Sequence, residues 1–174
     1  MFYTLIDSPV GDILLARDDG GIRMVQFGVG KRTRAKPREP QPGWMEAPER
    51  FENEVTQLHD YFAGHRHGFE MTLAPVGTAF QQSVWSALQD IPYGETISYR
   101  ELAETIGKPS AVQAVGAANG ANPIGIVIPC HRVIGANGSL TGYGGGIENK
   151  ARLLEHERQN SAPSQGPVQF GLQF

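Results

Sequence analysis

Apolar residues recur along this chain in short runs at first and at helical spacing further on. Residues 2–6 and 12–16 flank Ser8-Pro9-Val10-Gly11, and residues 22–27 follow Asp19-Gly20-Gly21. Short apolar runs punctuated by Gly and Pro predict strands, and such brief connections predict an antiparallel meander. The character then changes. Lys31, Arg32, Arg34, Lys36 and Arg38 share residues 30–48 with Pro37, Pro40, Pro42 and Pro48, so a solvated loop is expected there. From residue 48 to 63 the spacing predicts a helix: Pro48 and Glu49 in the first turn, Phe51, Val55, Leu58 and Phe62 on one face, and Gly64 as the stop.

A second unit begins around Ala74-Pro75-Val76-Gly77. Thr78 is a suitable N-cap for a helix running to about residue 90 with Phe80, Val84, Ala87, Leu88 and Ile91 on one stripe and Trp85 at its edge. Ile91-Pro92-Tyr93-Gly94 breaks it. Ser98 and Glu101 form a capping box for a short helix over residues 98–106, which Gly107 ends. Pro109 and Ser110 open another, over residues 110–118, with Val112 and Val115 facing inward. Two short helices joined by a tight turn fit a helix-turn-helix, although helical hairpins of this kind also occur in proteins that never meet DNA. The second helix is almost bare of side chains: Ala111, Ala114, Gly116, Ala117, Ala118 and Gly120. Such a face admits close approach by a DNA minor groove or by a neighbouring helix.

Ile124, Ile126, Val127 and Ile128 predict a short buried strand, stopped by Pro129, which lacks the N–H to extend a ladder. Gly135-Ala136-Asn137-Gly138 is a hairpin-type turn. Gly142-Tyr143-Gly144-Gly145-Gly146 follows no strand–helix unit and lacks the Gly-Lys-Ser/Thr ending of a phosphate loop, so it is read as the flexible wall of a pocket. Residues 147–157 predict a last helix with Ile147, Ala151 and Leu154 on one face. Glu157 falls on that same face, where a carboxylate is either paired or costly, and so is a candidate to hold an imidazole. Residues 159–174 read as a loose tail.

With 174 residues, 40% of them hydrophobic, the chain can bury a core as one domain or two small ones. A single cysteine excludes an internal disulfide and any multi-cysteine zinc site, and suits a reducing compartment. The start shows no basic region followed by a long apolar stretch, and no run approaches the length of a membrane span. A soluble, cytoplasmic protein is expected. The net charge of −3 excludes a broadly basic nucleic-acid binder, so any DNA binding must rest on a local face. His59, His65 and His67 cluster in sequence, but Gly64 and Gly68 loosen the segment and no thiol or carboxylate stands at ligand spacing; a metal site is rejected.

The only cysteine, Cys130, sits where the expected strand ends. A lone cysteine after an apolar run is ordinarily an inert core residue. Here the next residue is His131, and Asn122 and Arg132 lie close by in sequence. An adjacent imidazole favours thiolate formation, so a nucleophile is indicated, though the residues alone do not name its reaction.

These stretches together resemble the O6-alkylguanine-DNA alkyltransferase family. The likeness rests on Gly77-Thr78-Ala79-Phe80-Gln81, Val84-Trp85, Ile91-Pro92-Tyr93-Gly94, Ser98-Tyr99, Ala114-Val115-Gly116, Asn122-Pro123, Pro129-Cys130-His131-Arg132-Val133, Gly142-Tyr143 and His156-Glu157. It runs from about residue 77 to 157 and continues more weakly through the first 75 residues. The resemblance implies an α+β protein: an N-terminal ribonuclease-H-like α/β domain over residues 1–75, then a helical winged-helix, helix-turn-helix DNA-binding domain over residues 76–158. It implies transfer of an alkyl group from O6 of guanine in double-stranded DNA, less readily from O4 of thymine, to Cys130, once per molecule. It further implies that His131 takes the thiol proton through a water, that Glu157 orients and charges His131, that Asn122 fixes the pocket, and that Tyr99 donates a proton to the leaving guanine. DNA or substrate contacts are expected from Ser98, Gln113, Ala114, Gly116, Arg132, Val133, Tyr143 and Gly144. No metal or organic cofactor is required, and a monomer is expected.

One departure stands out. The family usually carries arginine immediately before Ala-Val-Gly, where it fills the gap left by a flipped base; here the residue is Gln113. Glutamine is shorter and uncharged, so weaker DNA binding with intact chemistry is expected. Gly144 likewise replaces a serine found in some relatives. Two rival readings were weighed. A non-catalytic alkylated-DNA-binding module of the alkyltransferase-like kind is opposed by Cys130. A cysteine hydrolase is opposed by the adjacency of Cys130 and His131 and by the lack of an oxyanion loop.

Overall fold

The computed structural model describes residues 1–27 and 39–161. It divides into two compact units, Met1–Val76 with Pro123–Val127, and Gly77–Asn122 with Ile128–Phe174. The basic stretch of residues 31–38 and the tail from residue 162 lie outside the described residues. Among those described, no helix is long and apolar enough to cross a membrane.

The first unit is built on a sheet in the order β3-β2-β1-β4. β1 (Phe2–Ile6), β2 (Ile13–Asp18) and β3 (Gly21–Phe27) form the expected antiparallel meander, with Phe2 opposite Arg17 and Ile13 opposite Phe27. A two-residue strand that the sequence did not suggest, β4 (Met45–Glu46), pairs parallel with β1. Ile13, Leu14, Leu15 and Ala16 are all fully buried, so β2 is covered on both faces.

The helix expected over residues 48–63 breaks in two. Pro48–Arg50 forms one 3-10 turn, and α1 (Glu52–Phe62) begins after Phe51, whose φ of −123° is not helical. The inward face of α1 is also rotated from the expected stripe. Glu54, Gln57, Leu58 and Tyr61 are buried, because Arg17 of β2 reaches Glu54 at 2.9 Å and the Gln57 amide pairs both ways with the Glu70 backbone.

The expected strand around Ile126 does not form. Ile124 makes a single bridge to Val25, framed by bonds from the Val25 N–H to the Pro123 carbonyl (3.0 Å) and from the Gly125 N–H to the Val25 carbonyl (2.8 Å). The chain then turns: Ile126 adopts φ 67° and the Val127 N–H bonds back to the Gly125 carbonyl. A β-branched residue at positive φ is a strained conformation, held here with the side chain fully buried.

In the second unit, α2 (Ala79–Leu88) opens with a full capping box between Thr78 and Gln81. Trp85 is more deeply placed than expected. It is 2% exposed and its Nε1 donates to the Ala118 carbonyl at 2.9 Å. β5 (Ile97–Ser98) leads into α3 (Tyr99–Thr105), capped by Ser98 and Glu101 as expected. Gly107, at φ 70°, supplies the left-handed turn toward α4 (Val112–Gly120), which begins and ends two residues later than expected. β6 (Val133–Ile134) pairs parallel with β5, and α5 (Ile147–Asn160) closes the unit, extending through Gln159 and Asn160, which had been assigned to the tail.

Candidate active site

Pro129 has no N–H, and the chain after it coils into one 3-10 turn, Cys130–Arg132. The Cys130 N–H donates to the Ile128 carbonyl and the Arg132 N–H to the Pro129 carbonyl. This turn places three successive functional side chains under the surface: Cys130, His131 and Arg132 are all buried. Asn122 closes the base of the preceding loop, its Nδ2 donating to the Ile128 carbonyl at 2.8 Å. Asn119 of α4 donates to the Cys130 carbonyl at 3.3 Å. Burial pushes the Cys130 thiol up, while a hydrogen bond from Asn122, the charge of Lys150 and backbone N–H groups draw it down; the net direction is up. The resting thiol is therefore protonated and needs a base.

His131 is that base by position. Its Nε2 lies 2.7 Å from Glu157 Oε1, and both side chains have no exposed surface. A carboxylate accepts only, so Nε2 carries the proton and Nδ1 holds the lone pair. Nδ1 is buried and has no hydrogen-bond partner among the described protein atoms. Burial lowers the His131 pKa and Glu157 opposes this, but Arg132 and Lys150 add to the lowering, leaving the imidazole neutral. The Glu157 carboxylate collects four donors: His131 Nε2, Arg132 Nε at 2.8 Å, Arg132 NH2 at 2.9 Å and the Gly94 N–H at 3.2 Å. Burial works against its charge, but His131 and Arg132 together outweigh it and hold its pKa well below the usual carboxylate range.

Lys150, about two helical turns before Glu157 on α5, is also fully buried. Its Nζ donates to the Val133 carbonyl (2.5 Å), the Thr141 carbonyl (3.0 Å) and the Tyr99 hydroxyl (3.5 Å). Burial brings its pKa down to about 8, with Cys130 opposing. Tyr99 donates to the Thr141 carbonyl at 2.9 Å, and its ring lies beside Gly116. Burial raises the Tyr99 and Tyr143 pKa values, and in both Cys130 adds to the effect. A protonated thiol, a neutral imidazole base, a buried cation and two phenols in one place suit nucleophilic displacement at an electrophilic carbon.

Residues 1–75 match the ribonuclease-like domain of 6-O-methylguanine DNA methyltransferases, and residues 79–159 match the DNA binding domain of the same proteins. The chain belongs to the 6-O-methylguanine DNA methyltransferase family. The methylated-DNA–protein-cysteine methyltransferase of Methanosarcina acetivorans is 52% identical over 157 residues, spanning 90% of this chain and 98% of that protein. Its counterpart in Mycolicibacterium paratuberculosis is 51% identical over 166 residues, spanning 93% and 95%. Among solved structures, Mycobacterium tuberculosis OGT in complex with DNA is 46% identical and aligns with a TM-score of 0.83 over 92% of this chain and 95% of that one.

Within this methyltransferase-family site, the structure gathers Cys130, His131, Glu157, Asn122, Tyr99 and Tyr143 into one region. Gln113 and Ala114 are exposed on α4, and Gly144 is exposed in its loop. Arg132, Val133 and Ser98 each make bonds within the protein. Arg132 turns inward to Glu157 and to the Ile91 carbonyl at 2.6 Å, because its neighbour on the 3-10 turn already points at that carboxylate. Val133 is fully buried in β6 with its carbonyl on Lys150. The Ser98 hydroxyl caps α3, accepting from the Glu101 N–H at 3.1 Å. Lys150, which also belongs to the stretch that resembles the family, and Asn119 had no expected role. The signal for Lys150 was present: residues 150, 153, 154 and 157 share one helical face.

Proposed function

We propose that this chain repairs double-stranded DNA by taking the alkyl group from O6 of guanine onto Sγ of Cys130, acting as a monomer and once per molecule, with O4-alkylthymine a poorer substrate. The observation that carries the reading is the buried Cys130 beside His131, whose Nε2 is fixed on Glu157 at 2.7 Å so that the opposite nitrogen is the basic one.

The chemistry follows from these parts. An alkyl ether carbon is a soft electrophile, and sulfur is the strongest soft nucleophile a protein carries. The thiol proton passes toward His131 Nδ1, the Sγ lone pair forms the S–C bond, and the C–O6 bond breaks with its electron pair passing into the purine. Tyr99 supplies a proton to the leaving guanine, and its hydroxyl is then restored by exchange. On balance one alkyl group moves to sulfur and one proton moves to guanine. The product is a thioether, which has no leaving group that these residues could activate, so a second turnover does not occur. Asn122 holds the thiol in place.

Guanine O6 lies inside the duplex stack, so the base must be flipped outward to reach a buried sulfur. The nearly bare outer side of α4, with Ala114, Ala117 and Gly120 exposed, suits close approach to the minor groove. Intact-protein mass spectrometry after mixing with a duplex holding one O6-methylguanine is the direct test. A gain of one methylene group on the wild type, none on Cys130→Ser and never two on one molecule is the expected result. An unchanged mass with the lesion duplex retained would instead identify a binding module.

A further inference from the structure

Arg132 directs three hydrogen bonds into the protein. Its Nε and NH2 grip the two oxygens of Glu157 at 2.8 and 2.9 Å, its NH1 donates to the Ile91 carbonyl at 2.6 Å, and its Cζ sits 5.6 Å from the centre of the Tyr93 ring. Oε1 of Glu157 is shared: it takes Arg132 NH2 and His131 Nε2 together. Only a guanidinium offers two parallel donors in a fixed fork matched to a carboxylate. The 3-10 turn makes the sharing possible, since it sends consecutive side chains to one acceptor.

We propose that Arg132 is a positioning residue that keeps His131 neutral and therefore able to accept the Cys130 proton. By gripping both oxygens it leaves Glu157 to orient the imidazole without charging it. This inference rests on the alkyl-transfer reading and refines it, since Glu157 alone would orient and charge His131. A second cation on the same carboxylate, away from water, is opposed by the guanidinium already there. Facing His131 are Glu157 and Lys150 from α5, and Arg132 and Cys130 from its own turn. Tyr93 and Tyr143 bear on it through Glu157. Of these only Glu157 favours the imidazolium strongly. Burial opposes it most, Arg132 and Lys150 add to that opposition, and Arg132 also shares the oxygen that His131 uses.

The test is the pH dependence of single-turnover methyl transfer from an O6-methylguanine duplex, for wild type, Arg132→Gln and Arg132→Lys. The imidazolium loses its proton before the buried thiol does, so the acid limb of the rate reports His131. In Arg132→Gln that limb moves up by about one pH unit, because the undivided carboxylate now charges the imidazole. Arg132→Lys, which keeps the charge but releases one oxygen, moves it less. Coincident limbs with only a lowered plateau would overturn the proposal. Inactivity of the wild type at every pH would instead overturn the alkyl-transfer reading beneath it. If Arg132→Gln does not fold, 15N NMR titration of His131 in Arg132→Lys decides: a midpoint above that of wild type supports the assignment, and an identical midpoint defeats it.

Discussion

His131 and Glu157, 26 positions apart in the chain, meet at 2.7 Å with neither side chain touching solvent. A hydrogen bond so enclosed fixes the imidazole ring and its tautomer, and leaves the carboxylate charged in the interior. That charge is tolerated because four donors converge on it. Glu157→Gln removes the charge and strands Arg132, and breaking a buried pair from one side costs about 3–5 kcal/mol. The transfer rate is expected to fall by about 100-fold or more as the imidazole loses its fixed tautomer. The folded carboxylate has a lowered pKa, so its contribution is present above the unfolded value of roughly 4.3 and is lost as pH falls below it. Urea unfolding should therefore show a steeper acid decline for wild type than for Glu157→Gln. Parallel declines would contradict it.

Lys150 gives a prediction of the same sign in the alkaline range. Its folded pKa is lowered from 10.5 to about 8. Between those values the unfolded chain binds more protons than the folded one, so this group adds stability as pH rises through the interval. Cys130, Tyr93 and Tyr143, all with raised pKa values, pull the other way at the alkaline end. The quantity to measure is the difference in unfolding free energy between wild type and Lys150→Met. It should shift in favour of wild type between about pH 8 and 10. A flat difference would mean that the buried ammonium keeps its proton throughout.

What the sequence displayed was mostly what neighbouring residues decide. The capping box of Ser98 and Glu101, the Gly107 stop and the meander turns are settled within a few residues, and each formed as expected. The inward position of Glu157 was legible from helical spacing alone. What escaped was decided across the fold. Ile124 to Ile128 has a strand's composition, but Val25 offers it one bridge and the chain turns at Ile126. Arg132 was expected among the DNA or substrate contacts, and its inward pairing could not be seen because the partner lies 25 residues downstream. The role of Lys150 was not legible, since its partners are carbonyls that only the fold supplies.

Gly77 and Trp85 make a packing prediction. A Cβ on Gly77 would stand 2.4 Å from the Trp85 ring, and that ring is pinned by its Nε1 on the Ala118 carbonyl of α4. Gly77→Ala should cost about 1–3 kcal/mol by overpacking. Trp85→Phe removes one of the two donors to the Ala118 carbonyl, the other being the Ala121 N–H at 3.2 Å, for about 0.5–1.5 kcal/mol. Thermal unfolding of both variants checks this. A Gly77→Ala protein as stable as wild type would show that the ring can move aside.

The last prediction concerns DNA. Gln113 is exposed near the start of α4, beside the exposed Ala114 and Ala117. Most of the affinity of a duplex-binding surface comes from cations that displace counterions, and this chain carries a net charge of −3. Gln113 adds hydrogen bonds but no charge. Gln113→Arg should tighten binding to an O6-methylguanine duplex and steepen the dependence of log affinity on log salt by about one unit. The transfer rate within the saturated complex should be unchanged, since Gln113 is exposed on α4 while Cys130 and His131 are buried. Affinity measured across a salt series, beside single-turnover rates at saturating protein, separates the two effects. Equal affinities and equal slopes would show that this position adds no charge to the interface, and a changed saturated rate would show that it acts in the chemistry after all.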